Sequence, residues 1–475
     1  MSELRKTTVF GGAAILLVAL ALVTVPRRAV PEDFSDVGET FFPEFTDPNS
    51  ATSLEVVEFD EDTAAAAVFR VTNRNGLWTI PTHHDYPADG EERLANTAAG
   101  VIAIIKNEFR SDNVTEHESF GVIDPLDQSV STLRGRGRRV TFKGASEQVL
   151  ADLIIGNRVP DRPGYNFVRV ADQNRVYAAR TDINISTRFN DWIETNLLGV
   201  ERDDVKRTVL NEYQIDERTG AVRRQGEFIV DWVEDYVWTA NDLPAGMEVD
   251  YIQMNLLIGG IMGLEIVGVR PKPEGLSGNL RQAFQERTIT NADLQTMQSR
   301  GFYPTQAGDM LSNEGELLVR TEEAVLYTLR FGEIVYGSGN AVAIGDETSD
   351  DEDTGVGENR YVLITAEFDP TGLPEPSRPS NRDFENKAEG QWTDGDRENK
   401  ERADLYDQWE RRTESGKARA EELATRFAKW YYVISAGSYN RGHKTRDDFL
   451  KEIDTDDEDE EEELFELLDP LEPPA

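Results

Sequence analysis

Histidine is the residue type whose spacing in this chain most directly suggests chemistry. The sequence contains four histidines and no cysteine. His83 and His84 are adjacent, whereas His117 and His443 stand alone. Two neighbouring histidines can ligate a metal ion, but adjacent residues of a strand point to opposite faces, and no HExxH motif or second histidine cluster accompanies the pair. We therefore expect surface histidines here and predict no metal-binding residues.

The remaining candidate motifs are a glycine-rich segment, a basic segment and abundant carboxylates. GSGN at residues 337–340 lacks the spacing and the lysine of a phosphate-binding loop. RGRGRR at residues 134–139 could contact an acidic partner or the chain's own acidic tail, although a turn beside a strand is the favoured interpretation. Ninety acidic residues make carboxylate pairs uninformative about acid–base catalysis. Since GxSxG and recognisable Ser/His/Asp arrangements are also missing, the sequence predicts no catalytic or cofactor-binding residue, no cofactor and no enzyme activity.

One long apolar segment near the amino terminus precedes the elements that hold these residues. Residues 9–25 (VFGGAAILLVALALVTV) carry no charge, and as a helix they would be about 25 Å long, enough to cross the hydrocarbon core of a bilayer. We predict a transmembrane signal anchor at 9–25, a cytoplasmic amino terminus at 1–8 and an exocytoplasmic body, and therefore a single-pass protein of the cell membrane. A cleaved signal peptide stays open, because Ala19-Leu20-Ala21 is a small-residue site of the required type.

The composition restricts the classes of partner. Fifty basic and ninety acidic residues give a formal net charge of −40, and such a surface repels nucleic acid. We interpret the acidity as an adaptation that keeps the protein hydrated in salt. The lack of cysteine excludes disulfide bonds, Fe–S clusters and thiol catalysis. A hydrophobic content of 38% suffices for packed cores in two or three domains.

Local patterns predict mixed strands and helices after a linker at residues 26–54. Asn75-Gly76 separates two strand-like runs and is a strong hairpin signal. Helical spacing of apolar residues predicts a helix over residues 94–109, followed by short strands and by a short helix within 186–198. The apolar positions of the first of these helices are Leu94, Ala98, Val101, Ile102, Ile105 and Phe109.

A weaker copy of this order appears downstream. Trp78, in a strand before the first helix, has a counterpart in Trp238, and a second apolar helix is expected at residues 251–266. In both copies an apolar residue and a glycine close a strand, at Gly156 and at Gly332. We predict an α+β fold of two related modules, at residues 55–215 and 216–372, with mainly antiparallel sheets. A chance match of strand order stays open.

Charge and apolar spacing assign the remaining segments. We expect an acidic loop at residues 345–359, a linker at 373–400 and a disordered, dispensable acidic tail at 451–475. Residues 401–450 are predicted to be a C-terminal helical segment with an apolar stripe that either contacts a protein partner or packs on the second module. The stripe comprises Ala420, Leu423, Phe427, Trp430, Tyr431 and Ile434.

The order of these segments resembles that of DUF4340-type proteins, especially their long planctomycete members. The resemblance covers most of residues 55–440, and its motifs are structural, so it implies no functional residues. It implies a protein anchored by one amino-terminal helix and often encoded beside gliding-type ABC transporter components. The segments that carry it are WTIP (78–81), FGVIDP (120–125), LIIGNRVPDRPGYNFVRV (153–170), VYAA (176–179), FNDWIETNLL (189–198), and residues 313–334 and 424–435.

Together these patterns predict a function in protein binding at a membrane. We expect a membrane-anchored, non-enzymatic accessory or scaffold subunit of an ABC-type transport or envelope complex. Its partners would be the lipid bilayer, through residues 9–25, and membrane proteins such as ABC transporter components, but not nucleic acid. The alternatives are a freestanding structural protein of the envelope or surface and, less favoured, a hydrolase with an unrecognised site.

Overall fold

The computed structural model describes residues 36–453 except 62–63, 182, 195, 217–220, 235–236, 274–275, 277–285, 287, 306–308 and 337–357. Within these, contacts divide the chain into unit 1 (residues 36–68 and 92–185) and unit 2 (residues 69–91 and 186–453). The predicted anchor at 9–25, the amino terminus at 1–8, most of the acidic loop and the tail from residue 454 lie outside the described residues. None of the described helices is long and apolar enough to span a membrane.

The described residues contain both strands and helices, and the sheets are mainly antiparallel. The predicted α+β class with a C-terminal helix is therefore confirmed. The strands are β1 (Ala51–Asp60), β2 (Ala65–Arg74), β3 (Leu77–Ile80), β4 (Tyr86–Pro87), β5 (Glu108–Ser111), β6 (Arg138–Gly144), β7 (Val149–Arg158), β8 (Tyr165–Val170), β9 (Val176–Arg180), β10 (Val205–Asp216), β11 (Ala221–Glu234), β12 (Val237–Ala240), β13 (Met247–Val249), β14 (Ile266–Pro271), β15 (Phe302–Pro304), β16 (Met310–Ser312), β17 (Glu316–Thr321), β18 (Val325–Val335), β19 (Asn359–Phe368), β20 (Trp430–Ile434) and β21 (Leu450–Glu452). The α-helices are α1 (Glu91–Ile102), α2 (His117–Phe120), α3 (Tyr251–Met262), α4 (Asn291–Gln298), α5 (Asp394–Ala428) and α6 (Ala436–Gly442).

Unit 1 is built on a sheet with the strand order β1-β6-β7-β8-β9-β5. Val56 lies opposite Val140, and Val140 lies opposite Leu153. All three side chains are fully buried. Because side chains alternate between the faces of a strand, such aligned buried residues identify the face that carries the core.

Helix α1 is shorter than its sequence pattern predicts. Leu94, Ala98 and Val101 are buried as expected, but the helix ends at Ile102. The next residues leave the helical ladder because Lys106 exchanges backbone hydrogen bonds with residues 38 and 39, and Glu108–Ser111 pair with β9. The competing strand and bridge contacts therefore end a helix that local spacing alone would continue to residue 109.

Unit 2 contains an eight-stranded sheet with the order β12-β11-β10-β17-β18-β19-β20-β14. Leu317, Leu329 and Ile364 lie opposite one another on β17, β18 and β19, and all are buried. Helix α5 packs on β19 and β18. Its start is fixed by a capping box, in which Thr393 and Asp396 each bind the other's backbone N–H.

The predicted C-terminal helical segment is corrected at both ends. Helix α5 begins at Asp394 and ends at Ala428, and residues 430–434 form β20 in the sheet of unit 2. The sequence WYYVI is aromatic and β-branched, and all five of its residues are buried, as in a central strand. Leu423, Phe427 and Tyr431 are buried within unit 2, so of the two open interpretations the stripe packs on its own unit.

The strand order of the two sheets coincides when their strands are aligned along the chain. The order β1-β6-β7-β8-β9-β5 in unit 1 corresponds, strand for strand, to β10-β17-β18-β19-β20-β14 in unit 2. Trp78 and Trp238 are each the second residue of corresponding strands, β3 and β12. A helix follows in both cases, α1 and α3. A common origin of the two sets stays a prediction.

The predicted boundaries differ from this correspondence. The second set of strands begins at Val205, before the predicted boundary at 215/216, and closes at Ile434 instead of 372. Residues 36–50 are no free linker, because Phe41 and Phe45 are buried against Tyr177 and Phe142. The second predicted linker, residues 373–400, contains Phe384, which is also buried. Both predicted linkers are therefore partly packed structure, because aromatic side chains of each are buried in the protein.

The two corresponding glycines, Gly156 and Gly332, each lie where two backbones meet. A Cβ atom at Gly156 would come within 2.7 Å of the Gly121 carbonyl oxygen, and one at Gly332 would overlap the Arg300 carbonyl oxygen and lie 2.9 Å from Phe302 Cζ. The strand register shifts beside both glycines. Glycine is therefore required at these two positions because no side chain fits.

Candidate functional site

The histidines lie mostly in packed environments, contrary to the expectation of surface histidines. His83 follows β3 in a short 3₁₀ helix and is only 1% exposed. Its ring stacks on Phe189 at a centroid distance of 4.8 Å and contacts Phe69 edge-on at 5.7 Å. Burial lowers the pKa of His83 to about 4, because a charged imidazole would lose its hydration there. His84 is exposed, so the pair shares no site.

The other two histidines each hold a backbone carbonyl. His117 is buried, and its Nε2 donates to the carbonyl oxygen of Asn174 at 2.8 Å. The Nε2 of His443 donates to the carbonyl oxygen of Glu314 at 2.9 Å. No group of three or more His, Asp or Glu side chains suited to a metal ion occurs within the part of the chain that the structure describes.

The basic segment at 134–139 serves its own loop and sheet. The guanidinium of Arg136 donates to the carbonyl oxygens of Asp124 and Val130 at 3.0 and 2.9 Å. Arg139 forms ion pairs with Asp124 and Asp152 at 2.9 and 2.6 Å. These contacts account for the segment as a turn beside β6. The GSGN segment at 337–340 lies outside the described residues.

Unit 2 contains a cleft of about 290 Å³. It lies where β10, the start of β17 and the residues after α6 meet. Phe331 and Leu317 form part of its apolar lining, and polar side chains form the rest. The polar residues of the cleft are Asn211, Glu212, Tyr213, Gln214, Asn313, Glu314, Glu316, His443, Lys444 and Thr445.

Glu314 is the centre of the contacts on one wall of the cleft. Its carboxylate forms an ion pair with Arg360 at 3.0 Å and accepts a hydrogen bond from Tyr439 at 3.4 Å. The ring of Tyr439 has two neighbours. His443 stacks on it at a centroid distance of 4.7 Å, and the Arg360 guanidinium lies 4.3 Å from its centroid. Burial and the nearby Glu314 carboxylate raise the pKa of Tyr439 to about 12. This wall is therefore held by charge-assisted and stacking contacts.

Other polar residues form the floor of the cleft. Glu316 forms an ion pair with Arg330 at 3.0 Å and accepts a hydrogen bond from Asn211 at 2.8 Å. The hydroxyl of Tyr213 accepts a hydrogen bond from the backbone N–H of Ser312 at 3.0 Å. Because these groups are already paired, they stabilise the floor of the cleft rather than offering free charge.

His443 is the residue of the cleft whose ring can exchange hydrogen bonds with a ligand. Its Nε2–H is donated to a carbonyl oxygen, so in the neutral ring Nδ1 is the hydrogen-bond acceptor. Burial is the largest effect on this ring and lowers the pKa of His443 below its usual value. His443 lines the cleft, and Nδ1 is the ring atom that can accept a hydrogen bond from a polar ligand or side chain. Sequence reasoning missed it because Glu314 and His443 are 129 residues apart, and no short motif joins them.

A wider and more polar groove of about 650 Å³ lies between α5 and the turn after β17. On its walls Arg412 donates to the Glu322 carbonyl oxygen at 2.8 Å, and Ser415 donates to the Glu323 carboxylate at 3.2 Å. Arginines and carboxylates face one another across it, so the groove has no single sign of charge that would select a ligand.

In comparisons with known proteins, one region of the chain matches a family model. Residues 78–278 match the family model described as "Domain of unknown function (DUF4340)". The chain contains a DUF4340 domain. The resemblance to DUF4340 proteins is thereby confirmed over the matched range, which runs from β3 to just beyond β14. Part of the cleft, at Leu210–Gln214, lies inside the DUF4340 match, whereas Glu314 and His443 lie outside it. No curated protein and no solved structure matches the chain.

Proposed function

We propose that the protein is a membrane-anchored, non-enzymatic accessory or scaffold subunit of an ABC-type transport or envelope complex, with its body on the exocytoplasmic side. The apolar segment at residues 9–25 supports the anchor, and the DUF4340 domain supports the family context. The alternative is a freestanding structural protein of the envelope.

The observation that carries a protein-binding role is a set of exposed apolar side chains in unit 2, called here the docking face. Ile252 and Leu256 lie one turn apart on α3 and are 64% and 53% exposed. Trp232, near the end of β11, is also exposed. Scattered apolar residues are ordinary on a surface, but a set on neighbouring elements is typical of a contact surface.

The elements that carry the docking face are joined through residues 202–206. Arg202 donates a hydrogen bond to Asn255, the neighbour of Leu256 on α3. Lys206 lies 3.7 Å from the ring centroid of Trp232. Strand β12 is at the end of the sheet, so one of its edges can pair with an extended segment of another protein. A partner segment with an extended backbone and apolar side chains fits both features.

The decisive experiment is crosslinking in native membranes with the full chain, followed by identification of the captured membrane proteins. Ile252→Glu combined with Leu256→Glu is expected to abolish capture of the partner, because charges would be desolvated at the contact. Val149→Glu combined with Leu405→Glu places the same charges at exposed apolar positions elsewhere and should leave capture intact. Equal capture by both double variants would refute the docking face.

Anchoring is tested separately. The intact chain should remain in the membrane fraction through high salt and carbonate, since a spanning helix is held by apolar burial. Protease added to spheroplasts should degrade the body, and its resistance would contradict the exocytoplasmic orientation. Capture of envelope proteins without any transporter component would favour the freestanding structural role.

A further inference from the structure

The hairpin of β10 and β11 has an open edge along part of β11. Strand β11 pairs with β10 down to Ala221, but on its other side it pairs with β12 only from Val230 to Glu234. Asn241 extends this contact by hydrogen bonds with Glu227 and Ile229. From residue 222 to residue 226, the outer side of β11 has no neighbouring strand within the described residues. Such an edge can accept one more strand.

Two adjacent arginines mark this open edge. Arg223 and Arg224 are both exposed, and within the described chain neither forms an ion pair or a side-chain hydrogen bond. They lie on opposite faces of the strand, because successive side chains alternate. In a chain with a net charge of −40, two unpaired neighbouring arginines are an unusual local excess of positive charge. The edge therefore favours an extended segment rich in carboxylates.

The last described residues of the chain are linked to β11 through residues 241–246. Strand β21 pairs with β13, and the N–H of Ile453 donates to the Gly246 carbonyl oxygen at 3.0 Å. The following residues, 454–463, read DTDDEDEEEE and contain no basic residue. Five residues before Gly246 in the chain, the side chain of Asn241 forms hydrogen bonds with the backbone of Glu227 and Ile229 on β11.

We propose that the acidic segment 454–463 of the same chain binds along the open edge of β11, with its carboxylates paired to Arg223 and Arg224. This contact is independent of the proposed transport or envelope role. It covers unpaired backbone groups that would otherwise be available to another chain, and it gives the acidic tail a defined binding site. It differs from the sequence expectation of a tail that is dispensable for folding and binding.

The distances allow this contact. The five residues from Asn241 to Gly246 span at most about 17 Å, and the strand from Glu227 to Arg224 spans about 10 Å at 3.4 Å per residue. The ten residues 454–463 reach about 33 Å when extended. The segment can therefore lie over Arg223 and Arg224 without any change in β21.

Charge argues against the neighbouring edge of β12 as the binding site. Strand β12 carries no basic residue, and Glu234 lies on the adjacent part of β11. Like charges placed side by side in a sheet are destabilising, whereas opposite charges favour pairing and bring the segments together. The arginine-bearing part of β11 is thus the favoured position for a run of carboxylates.

Amide hydrogen exchange of the full chain tests the proposal, because it reads the backbone N–H groups at 222–226 directly. In the unaltered protein we expect exchange at the outward N–H groups of this stretch to be at least about tenfold slower than in an open edge. Replacing Arg223 and Arg224 by Glu should remove this protection, and so should 1 M salt, which screens charges beyond about 3 Å. Neutralising five tail acids (Asp456→Asn, Asp457→Asn, Glu458→Gln, Asp459→Asn and Glu460→Gln) should have the same effect.

The matched control replaces Arg134 and Arg158 by Glu. Both are exposed arginines of unit 1, and the exchange at 222–226 should not change. Fast exchange at these amides in the unaltered chain, or protection that survives both the arginine and the tail variants, would overturn the proposal. Protection that disappears on tenfold dilution would show that the tail of a second copy is the occupant, which also overturns it.

Discussion

Replacing Gly332 by Ala is the sharpest test of the packing in unit 2. The new Cβ would overlap the Arg300 carbonyl oxygen, which accepts the Glu333 N–H at 3.0 Å, and would lie 2.9 Å from Phe302 Cζ. Phe302 is fully buried and stacks on Tyr431 at 5.6 Å, so the ring cannot simply rotate into solvent. The backbone of residues 300–302 must therefore move by roughly 1 Å, because the interior has no free space to absorb the methyl group.

The cost of this movement can be approximated from its two parts. Overpacking a well-filled core costs about 1–3 kcal/mol, and loss of the backbone hydrogen bond at Arg300 adds about 1 kcal/mol. We expect Gly332→Ala to lower the free energy of unfolding by about 3 kcal/mol. With a urea m-value of about 3 kcal/mol/M for a unit of this size, the midpoint should fall by about 1 M.

The assay is tryptophan fluorescence during urea unfolding. All seven tryptophans of the chain lie in the residues of unit 2, so the signal reports on that unit. Gly226→Ala is the matched control, because a Cβ there meets nothing within 4 Å, and its free energy of unfolding should stay within about 0.5 kcal/mol of that of the unaltered protein. The reasoning is refuted if Gly332→Ala behaves like Gly226→Ala.

Three further predictions concern α1, α3 and His83. Val101→Asp should destabilise unit 1 by several kcal/mol more than Ile102→Asp, because Val101 is fully buried and Ile102 only half-buried; hydrogen exchange of α1 measures this, and equal effects would contradict the assigned face. In α3, Gly259→Ala should stabilise by up to about 1 kcal/mol through helix propensity, whereas Gly260→Ala should not, since its Cβ would lie 2.8 Å from the Cβ of Arg441; urea midpoints decide between the two. The folded-state pKa of His83 is about 4, below the unfolded value of 6.5, so the unfolded chain binds more protons between these values and stability falls as the pH drops from 6.5 to 4, by up to about 3 kcal/mol. In His83→Phe this part of the pH dependence should vanish, and an identical pH profile of the urea midpoint in both proteins would count against a buried neutral imidazole.

The elements that the sequence predicted well are those whose local chemistry has one structural solution. Asn75 and Gly76 both have positive φ and join β2 to β3, as their residue types require of a two-residue hairpin turn. Gly156 and Gly332 were singled out by a repeated apolar-glycine step, but the structure places them inside β7 and β18 and not at the strand ends as predicted. What the two positions share is a close backbone approach, which favours glycine in both sets of strands.

The predictions that were wrong concern features that depend on contacts between residues far apart in the sequence. Helical spacing continues from Phe427 into Trp430 and Tyr431, but a short apolar run cannot be assigned to helix or strand by period alone, and the space between β19 and β14 takes it as β20. His83 was expected at the surface because polar residues usually are, whereas it is buried and contacts the rings of Phe69 and Phe189. The cleft at Glu314 depends on pairing over 129 residues, which no local pattern encodes.

The position of β20 in the chain also determines when the sheet of unit 2 can be completed during synthesis. Strand β14 ends at Pro271, and its neighbour β20 begins only at Trp430. At ribosomal speeds of about 5–20 residues per second, the intervening chain takes on the order of ten seconds to emerge. During that time β14 lacks its neighbour, and β19 lacks it once Phe368 has been made. Both strands then have open edges on which another chain can pair. A nascent chain released before residue 434 would therefore be a client for chaperones and proteases, while the strands of unit 1 are complete once Arg180 has been made.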